Sequence, residues 1–253
     1  MGGALATAVS KCKKAEIYLA DYSDEKAQAL ASRIGAGVST NNEIARACKF
    51  IFMGVKPGVI RGVLADISDG LSANSDAVIV TMAAGVDIST VDCAAGGGKR
   101  IIRIMPNTPV AVGSGMITYC TSNLSEGDEE NFLTIMENAG KLDKISEGVI
   151  DSASALSGCG PAFVYMFCEA LADGAVLCGL PRDKALLYAA ETIKGASEMI
   201  LKTGKHPGQL KDEVCSPGGS TIEGVCALEN GAFRSLAAEA VIAAYEKTKK
   251  LGK

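Results

Sequence analysis

From the start of the chain to about residue 146, short apolar, β-branched runs alternate with amphipathic stretches. Glu16–Ala20, Phe50–Val55, Ala77–Met82, Arg100–Met105 and Met116–Cys120 read as strands. Their continuous rather than alternating apolarity predicts a parallel sheet covered on both faces. Between the strands lie helix start and stop signals. Ser23 is placed to cap a helix running through Ile34 to Gly35, and Thr40-Asn41-Asn42-Glu43 has the form of a capping box. Strand and helix in alternation imply right-handed βαβ crossovers and a doubly wound sheet.

After Glu147 the pattern changes, and no further strand is expected. Pro161 and Pro181 stand where a first-turn proline belongs, opening helices over Pro161–Cys178 and Pro181–Lys202; Ala232–Lys250 reads as a third. These helices are apolar nearly all round, with small residues such as Ala172, Ala175, Ala189, Ala237 and Ala244 on several sides. So few residues bury little by themselves, so a second subunit is expected to cover them. The expected division is residues 1–146 and 147–253.

Composition narrows the function. The chain has 253 residues, 48% hydrophobic, with a formal net charge of −4. That balance disfavours a nucleic-acid binder, since Lys11, Lys13 and Lys14, like Lys247, Lys249 and Lys250, are short groups suited to solvated helix ends. No apolar run approaches the ~18 residues of a membrane span, and the first residues carry no basic leader. The expectation is a soluble cytoplasmic protein with no nucleic-acid or membrane partner. Nine scattered cysteines form no Cys-x-x-Cys pair, and His206 is the sole histidine. No metal site and no Ser-His-Asp hydrolase is expected. The chemistry must come from a cofactor, or from backbone and hydroxyl groups.

Ligands of doubly wound sheets sit beyond the strands' carboxyl ends. There the sequence places Asp21, suited to an adenosine ribose, then Lys56-Pro57-Gly58, then Ala83-Ala84-Gly85. Small residues at neighbouring strand ends favour a dinucleotide site. In the Gly-x-Gly-x-x-Gly fingerprint, Gly2 corresponds only to the third glycine, the one that packs helix against sheet. The first strand and the first two glycines have no counterpart. This predicts a helix from the outset over Met1–Cys12, and a gap or distorted closure beside Glu16–Ala20 and Phe50–Val55.

Two stretches are more particular: Asp151-Ser152-Ala153-Ser154-Ala155-Leu156-Ser157-Gly158-Cys159-Gly160-Pro161-Ala162-Phe163, and Leu210 to Gly224 with its Ser216-Pro217-Gly218-Gly219-Ser220-Thr221 core. The second reads as a Gly-rich loop entering a helix, whose free amides suit a small carboxylate; on the residues alone an ordinary turn fits as well. With Met105-Pro106-Asn107-Thr108-Pro109 and Val55-Lys56-Pro57, these stretches closely resemble the pyrroline-5-carboxylate reductase family, in the same order over essentially the whole chain.

That resemblance implies a Rossmann-like domain binding NADPH or NADH, followed by a helical domain that forms homodimers and often rings of dimers. It implies reduction of the cyclic imine pyrroline-5-carboxylate to L-proline, the last step of proline biosynthesis. Thr221 would meet the ring nitrogen as the catalytic hydroxyl. Gly218, Gly219 and Ser220 would receive the carboxylate, Val214 and Ser216 would line the pocket, and Glu147 would stand on the substrate side. Met1, Gly2, Asn41, Val55, Lys56, Pro57, Met82, Ala83, Ala84 and Asn107 match cofactor positions. Asp21 falls where several members carry a small hydroxyl residue, and so favours NADH. Two other readings stand beside this one. A 3-hydroxyacid or related imine dehydrogenase of the same plan would want a lysine on the Pro161–Cys178 helix, which has none. A truncated, cofactor-free dimerising module would lack activity.

Overall fold

A computed structural model describes residues 1–250. The first part runs α1 (Gly2–Ser10), β1 (Tyr18–Leu19), α2 (Asp24–Ile34), β2 (Gly37–Val38), α3 (Asn41–Ala47), β3 (Phe50–Met53), α4 (Ile60–Asp66), α5 (Ser68–Ala73), β4 (Val78–Thr81), α6 (Ile88–Ala94) and β5 (Arg100–Met105). It continues through β6 (Gly115–Ser122), α7 (Glu126–Met136), β7 (Gly140–Lys144) and α8 (Glu147–Ser157). Then come α9 (Gly160–Leu177), α10 (Arg182–Thr203), α11 (Pro207–Glu213), α12 (Ser220–Asn230) and α13 (Phe233–Thr248).

The start signals work as the sequence implies. Thr40 Oγ1 accepts from the Glu43 amide while the Glu43 carboxylate accepts from the Thr40 amide, the reciprocal pair of a capping box. α2 begins after Ser23, although the Ser23 side chain makes no cap bond, and it ends at a left-handed Gly35. Pro181 departs by one position: it precedes α10 as its N-cap residue instead of opening the first turn.

Strands β3 to β7 form one sheet in sequence order, while β1 and β2 pair only with each other. The expected break is therefore present beside the first strand and β3, and α1 begins at Gly2 as predicted. β3, β4 and β5 are parallel, but β6 runs antiparallel to β5, a correction to the all-parallel expectation. The reason is the connection. Residues 106–114 are too few for the dozen or more that a parallel crossover needs, so the chain turns straight back. β7, which the sequence reading missed, is a charged edge strand parallel to β6.

Each face of the larger sheet carries its own core. Val78, Val80, Ile102, Ile104, Ile117 and Tyr119 pack with Leu5 and Val9 of α1 and with Phe132 and Met136 of α7. Ile51, Ile79, Ile101 and Cys120 pack with Leu64 of α4, Val91 of α6 and Ile150 of α8. Helices on both sides and a fully buried β4 make this a doubly wound α/β unit.

Two compact units divide after Cys159: Met1–Cys159 with the chain from Ala243, and Gly160–Ile242. The expected domain edge at residue 146 coincides with the start of α8, which packs on β6 within the first unit. In the second unit α9 and α10 form a hairpin whose core is Ala172, Ala185 and Ala189, backed by Cys168, Ala175, Val176 and Leu180. Tyr165, Met166, Leu177, Leu187, Leu201 and Leu236 are all more than half exposed. The stretch Glu147–Leu177, which comprises α8, a turn at Gly158–Cys159 and α9, contains a window of mean hydropathy 1.3 of which 11% is buried. That corrects the expectation that no apolar stretch reaches membrane-spanning length.

Candidate functional site

The carboxyl ends of β3 and β4 carry the expected cofactor residues in one unit. Val55, Lys56 and Pro57 follow β3, with Lys56 exposed and Pro57 opening a short turn of 3-10 helix. Met82, Ala83 and Ala84 follow β4; Ala83 is buried, and its amide donates to Thr81 Oγ1 at 3.4 Å. A methyl group on Gly54 would stand 3.2 Å from the Gly2 Cα, so the start of α1 meets the end of β3 backbone to backbone. This is the close packing expected of the third fingerprint glycine. Met1 is half exposed at the head of α1.

Asp21 and Asn41 are exposed. Asp21 lies just past β1, and its carboxylate accepts the Ser23 amide at 3.0 Å, which fixes it at the turn into α2. Asn41 is the first residue of α3, held by the capping box. Bonds from the Ser39 hydroxyl and then the Thr40 amide and hydroxyl bring the Glu43 carboxyl down to about 2. The cap is therefore charged at any ordinary pH.

Asn107 is buried, and both of its polar atoms face the chain. Nδ2 donates to the Ser157 carbonyl at 3.0 Å, and Oδ1 accepts from the Met116 amide at 3.0 Å. Glu147 opens α8; its Oε1 accepts from the Ile88 amide at 2.7 Å and from Arg103 Nη1 at 3.2 Å. Arg103 Nη2 reaches Asp151 Oδ1 at 2.6 Å. The sequence reading passed over Arg103 and Asp151. The signal was a charged residue inside the apolar run Arg-Ile-Ile-Arg-Ile-Met, which must find a partner if the strand is buried. A cleft of about 470 Å³ opens beside this network, between α6, β6, β7 and α8; Glu147 is the only expected site residue on its wall. It also exposes part of the lining at Cys120, whose thiol is pushed up to about 11, chiefly by burial.

The second unit carries the loop expected to meet the substrate. α11 ends at Glu213; Val214, Ser216, Pro217 and Gly218 are exposed, and α12 starts at Ser220 with Gly219 as its N-cap. Gly218 has φ +68°, a left-handed conformation open to glycine. A Cβ on Gly219 would press on Ser216 Oγ, so a side chain there would make the Ser216 hydroxyl turn away. No side chain caps the first turn of α12, where Ser220 and Thr221 sit exposed. Its first amides have no side-chain partner and stand at the positive end of the helix dipole. Thus the residues expected to hold the cofactor lie in the first unit, while Val214 to Thr221 form one loop in the second.

No cluster of potential metal ligands occurs among the described residues. The hydroxyl and amide donors at the loop suit a small carboxylate, and the small residues after β3 and β4 suit a flat dinucleotide lying near the backbone.

Comparison with known proteins bears on the whole chain. Residues 147–251 match the pyrroline-5-carboxylate reductase dimerisation family, and residues 1–85 match the family described as NADP oxidoreductase, coenzyme F420-dependent. The pyrroline-5-carboxylate reductase of Escherichia coli is 40% identical over all of this chain and 93% of its own. Among solved structures, the Plasmodium falciparum pyrroline carboxylate reductase with NADP bound is 34% identical with a TM-score of 0.87, covering 100% of this chain and 95% of that one. The Coxiella burnetii pyrroline-5-carboxylate reductase is 29% identical with a TM-score of 0.88, covering 100% and 94%. The chain belongs to the pyrroline-5-carboxylate reductase family.

Proposed function

We infer that this chain reduces pyrroline-5-carboxylate to L-proline with NADPH or NADH, the closing step of proline biosynthesis. The observation that carries the reading is the uncapped α12 terminus behind Gly218 and Gly219, which offers an anion site without a basic side chain. The full-length similarity to the Escherichia coli reductase supports the substrate.

The reaction asks little of side chains. A protonated cyclic imine is already electrophilic, and the bound nicotinamide supplies the hydride that adds to the imine carbon. Gly218, Gly219 and Ser220 hold the substrate carboxylate through backbone amides and the positive end of α12. The Thr221 hydroxyl bonds the ring nitrogen, orients it, and keeps its proton in place while the carbon is reduced. Val214 and Ser216 shape the pocket wall. Lys56 and Pro57 after β3, with Met82 to Ala84 after β4, bed the cofactor; Asn41 and Asp21 stand on its adenosine side. Positioning and fixed dipoles supply the catalysis.

The exposed apolar faces of α9, α10 and α13 are covered by a second copy in at least a homodimer, in keeping with the dimerisation family matched over this region. A protein partner, rather than lipid, accounts for the apolar Glu147–Leu177 stretch. The net charge of −4 supports no nucleic-acid role, and nine unpaired cysteines suit the cytoplasm. The 3-hydroxyacid reading lacks its lysine on α9, where Asp173 instead pairs with Arg182. The test is turnover: purified protein given pyrroline-5-carboxylate should oxidise NADPH or NADH and release proline. Binding of neither cofactor would leave only the inactive dimerising module.

A further inference from the structure

The turn from β4 to α6, residues 82–87, is pinned at both ends. At its start, buried Thr81 stands beside Arg103 in the register of β4 and β5, and Thr81 Oγ1 accepts the Ala83 amide. At its finish, the Ile88 amide, first of α6, donates to Glu147 Oε1 at 2.7 Å. That oxygen is itself held by Arg103 Nη1 at 3.2 Å, while Nη2 reaches Asp151 Oδ1 at 2.6 Å, one turn further along α8. The Arg103 side chain is 3% exposed, against 35% for Glu147 and 30% for Asp151. Taking a guanidinium out of water is costly, and apolar residues of similar volume often serve stability as well or better. A charge kept inside the buried run Ile101–Met105 is explained by what it holds in place.

We propose, on the reductase reading above, that Arg103 is a positioning residue for the cofactor. By fixing the Glu147 carboxylate against the Ile88 amide, it sets the shape of the turn whose Met82, Ala83 and Ala84 bed the dinucleotide. That turn contains Gly85 at φ +73°, and a fixed far end removes the freedom such a glycine brings. Arg103 is buried and acts through Glu147. The clamp uses Oε1 alone, which leaves Oε2 for the substrate side, where the resemblance puts Glu147. All of its parts lie within Met1–Cys159, a single compact unit.

The experiment uses the whole chain with Arg103→Met, which roughly keeps the length and removes the charge, and with Arg103→Lys, which keeps the charge. Amide hydrogen exchange is followed at Val86 and Ile88 and, as the measure of global opening, at Ile79 and Val80 of buried β4. Dissociation constants of NADPH and NADH are read by fluorescence. In Arg103→Met, exchange at Val86 and Ile88 should quicken about tenfold beyond any change at Ile79 and Val80. Both dissociation constants should rise about tenfold, as expected for the loss of one charge-assisted hydrogen bond. Arg103→Lys should recover most of both. Exchange at Val86 and Ile88 that moves only in step with Ile79 and Val80 makes Arg103 a purely structural residue and overturns the proposal, as do parent-like dissociation constants. Should Arg103→Met fail to fold, Asp151→Asn, which loosens one of the two anchors of the guanidinium, must show the same local pattern at about threefold; parent-like exchange there overturns the clamp. A parent that binds neither cofactor sinks the reductase reading and the cofactor role with it, and the exchange arm still decides whether Arg103 sets the turn.

Discussion

Gly2 and Gly54 meet backbone to backbone, and a methyl on Gly54 would stand 3.2 Å from the Gly2 Cα. The start of α1 is thereby set against the end of β3, beside Val55, Lys56 and Pro57. Gly54→Val should push the two apart at a cost of about 1–3 kcal/mol, the usual range for overpacking. Thermal unfolding should show it as a drop of several degrees, together with weaker cofactor binding. A variant as stable as the parent, with the same cofactor affinity, would show that this approach is dispensable.

At the substrate loop, Thr221→Val should lower kcat by ~10²-fold or less, because one hydrogen bond to a charged group contributes about 1.5–3 kcal/mol. Parent-like turnover at saturating substrate would remove the hydroxyl from the reaction. Gly219→Asp should act on KM instead, since it sets a negative charge at the proposed carboxylate site and crowds Ser216 Oγ. An unchanged KM would count against the anion site.

Asp21 lies exposed past β1, its carboxylate fixed by the Ser23 amide. There it would bond ribose hydroxyls and repel a 2′-phosphate, so the parent should prefer NADH, by roughly tenfold, equal to ~1.4 kcal/mol. Asp21→Ser should shift the ratio of kcat/KM towards NADPH. A parent already faster with NADPH at equal concentration would refute this assignment.

Glu43 supplies a pH signature. Its carboxyl is held down to about 2 by Ser39 and Thr40. A depressed folded value means that the capping box stabilises α3 fully above the ordinary carboxylate range, and that this contribution is lost as pH falls towards 2. Chemical denaturation between neutral pH and pH 3 or so should fall more steeply for the parent than for Glu43→Gln. Parallel curves would show that the box adds nothing to stability.

Local features were legible in the sequence, and distant ones were not. The Thr40–Glu43 box and the Gly35 stop depend on neighbours three or four residues apart, and both stand where the pattern put them. The break beside β3 followed from counting strands against the fingerprint. The direction of β6 was set by the short connection from Met105 to Gly115, which strand pattern alone does not weigh. β7 hid because an edge strand with Lys141, Asp143 and Lys144 looks like a loop. Similarly, Asn107 was read by its motif, whereas its partner Ser157 lies fifty residues on. The contacts of Arg103 to Glu147 and Asp151 span 44 and 48 residues, beyond the reach of any periodicity.

The central claim is that this chain delivers a hydride from a nicotinamide cofactor to the imine carbon of pyrroline-5-carboxylate. The most direct measurement incubates the purified protein with pyrroline-5-carboxylate and with NADPH or NADH deuterated at the transferable position, then identifies the product by mass spectrometry. The account predicts proline one mass unit heavier, with the deuterium on the former imine carbon. Unlabelled proline, or cofactor oxidised with no proline formed, would contradict it.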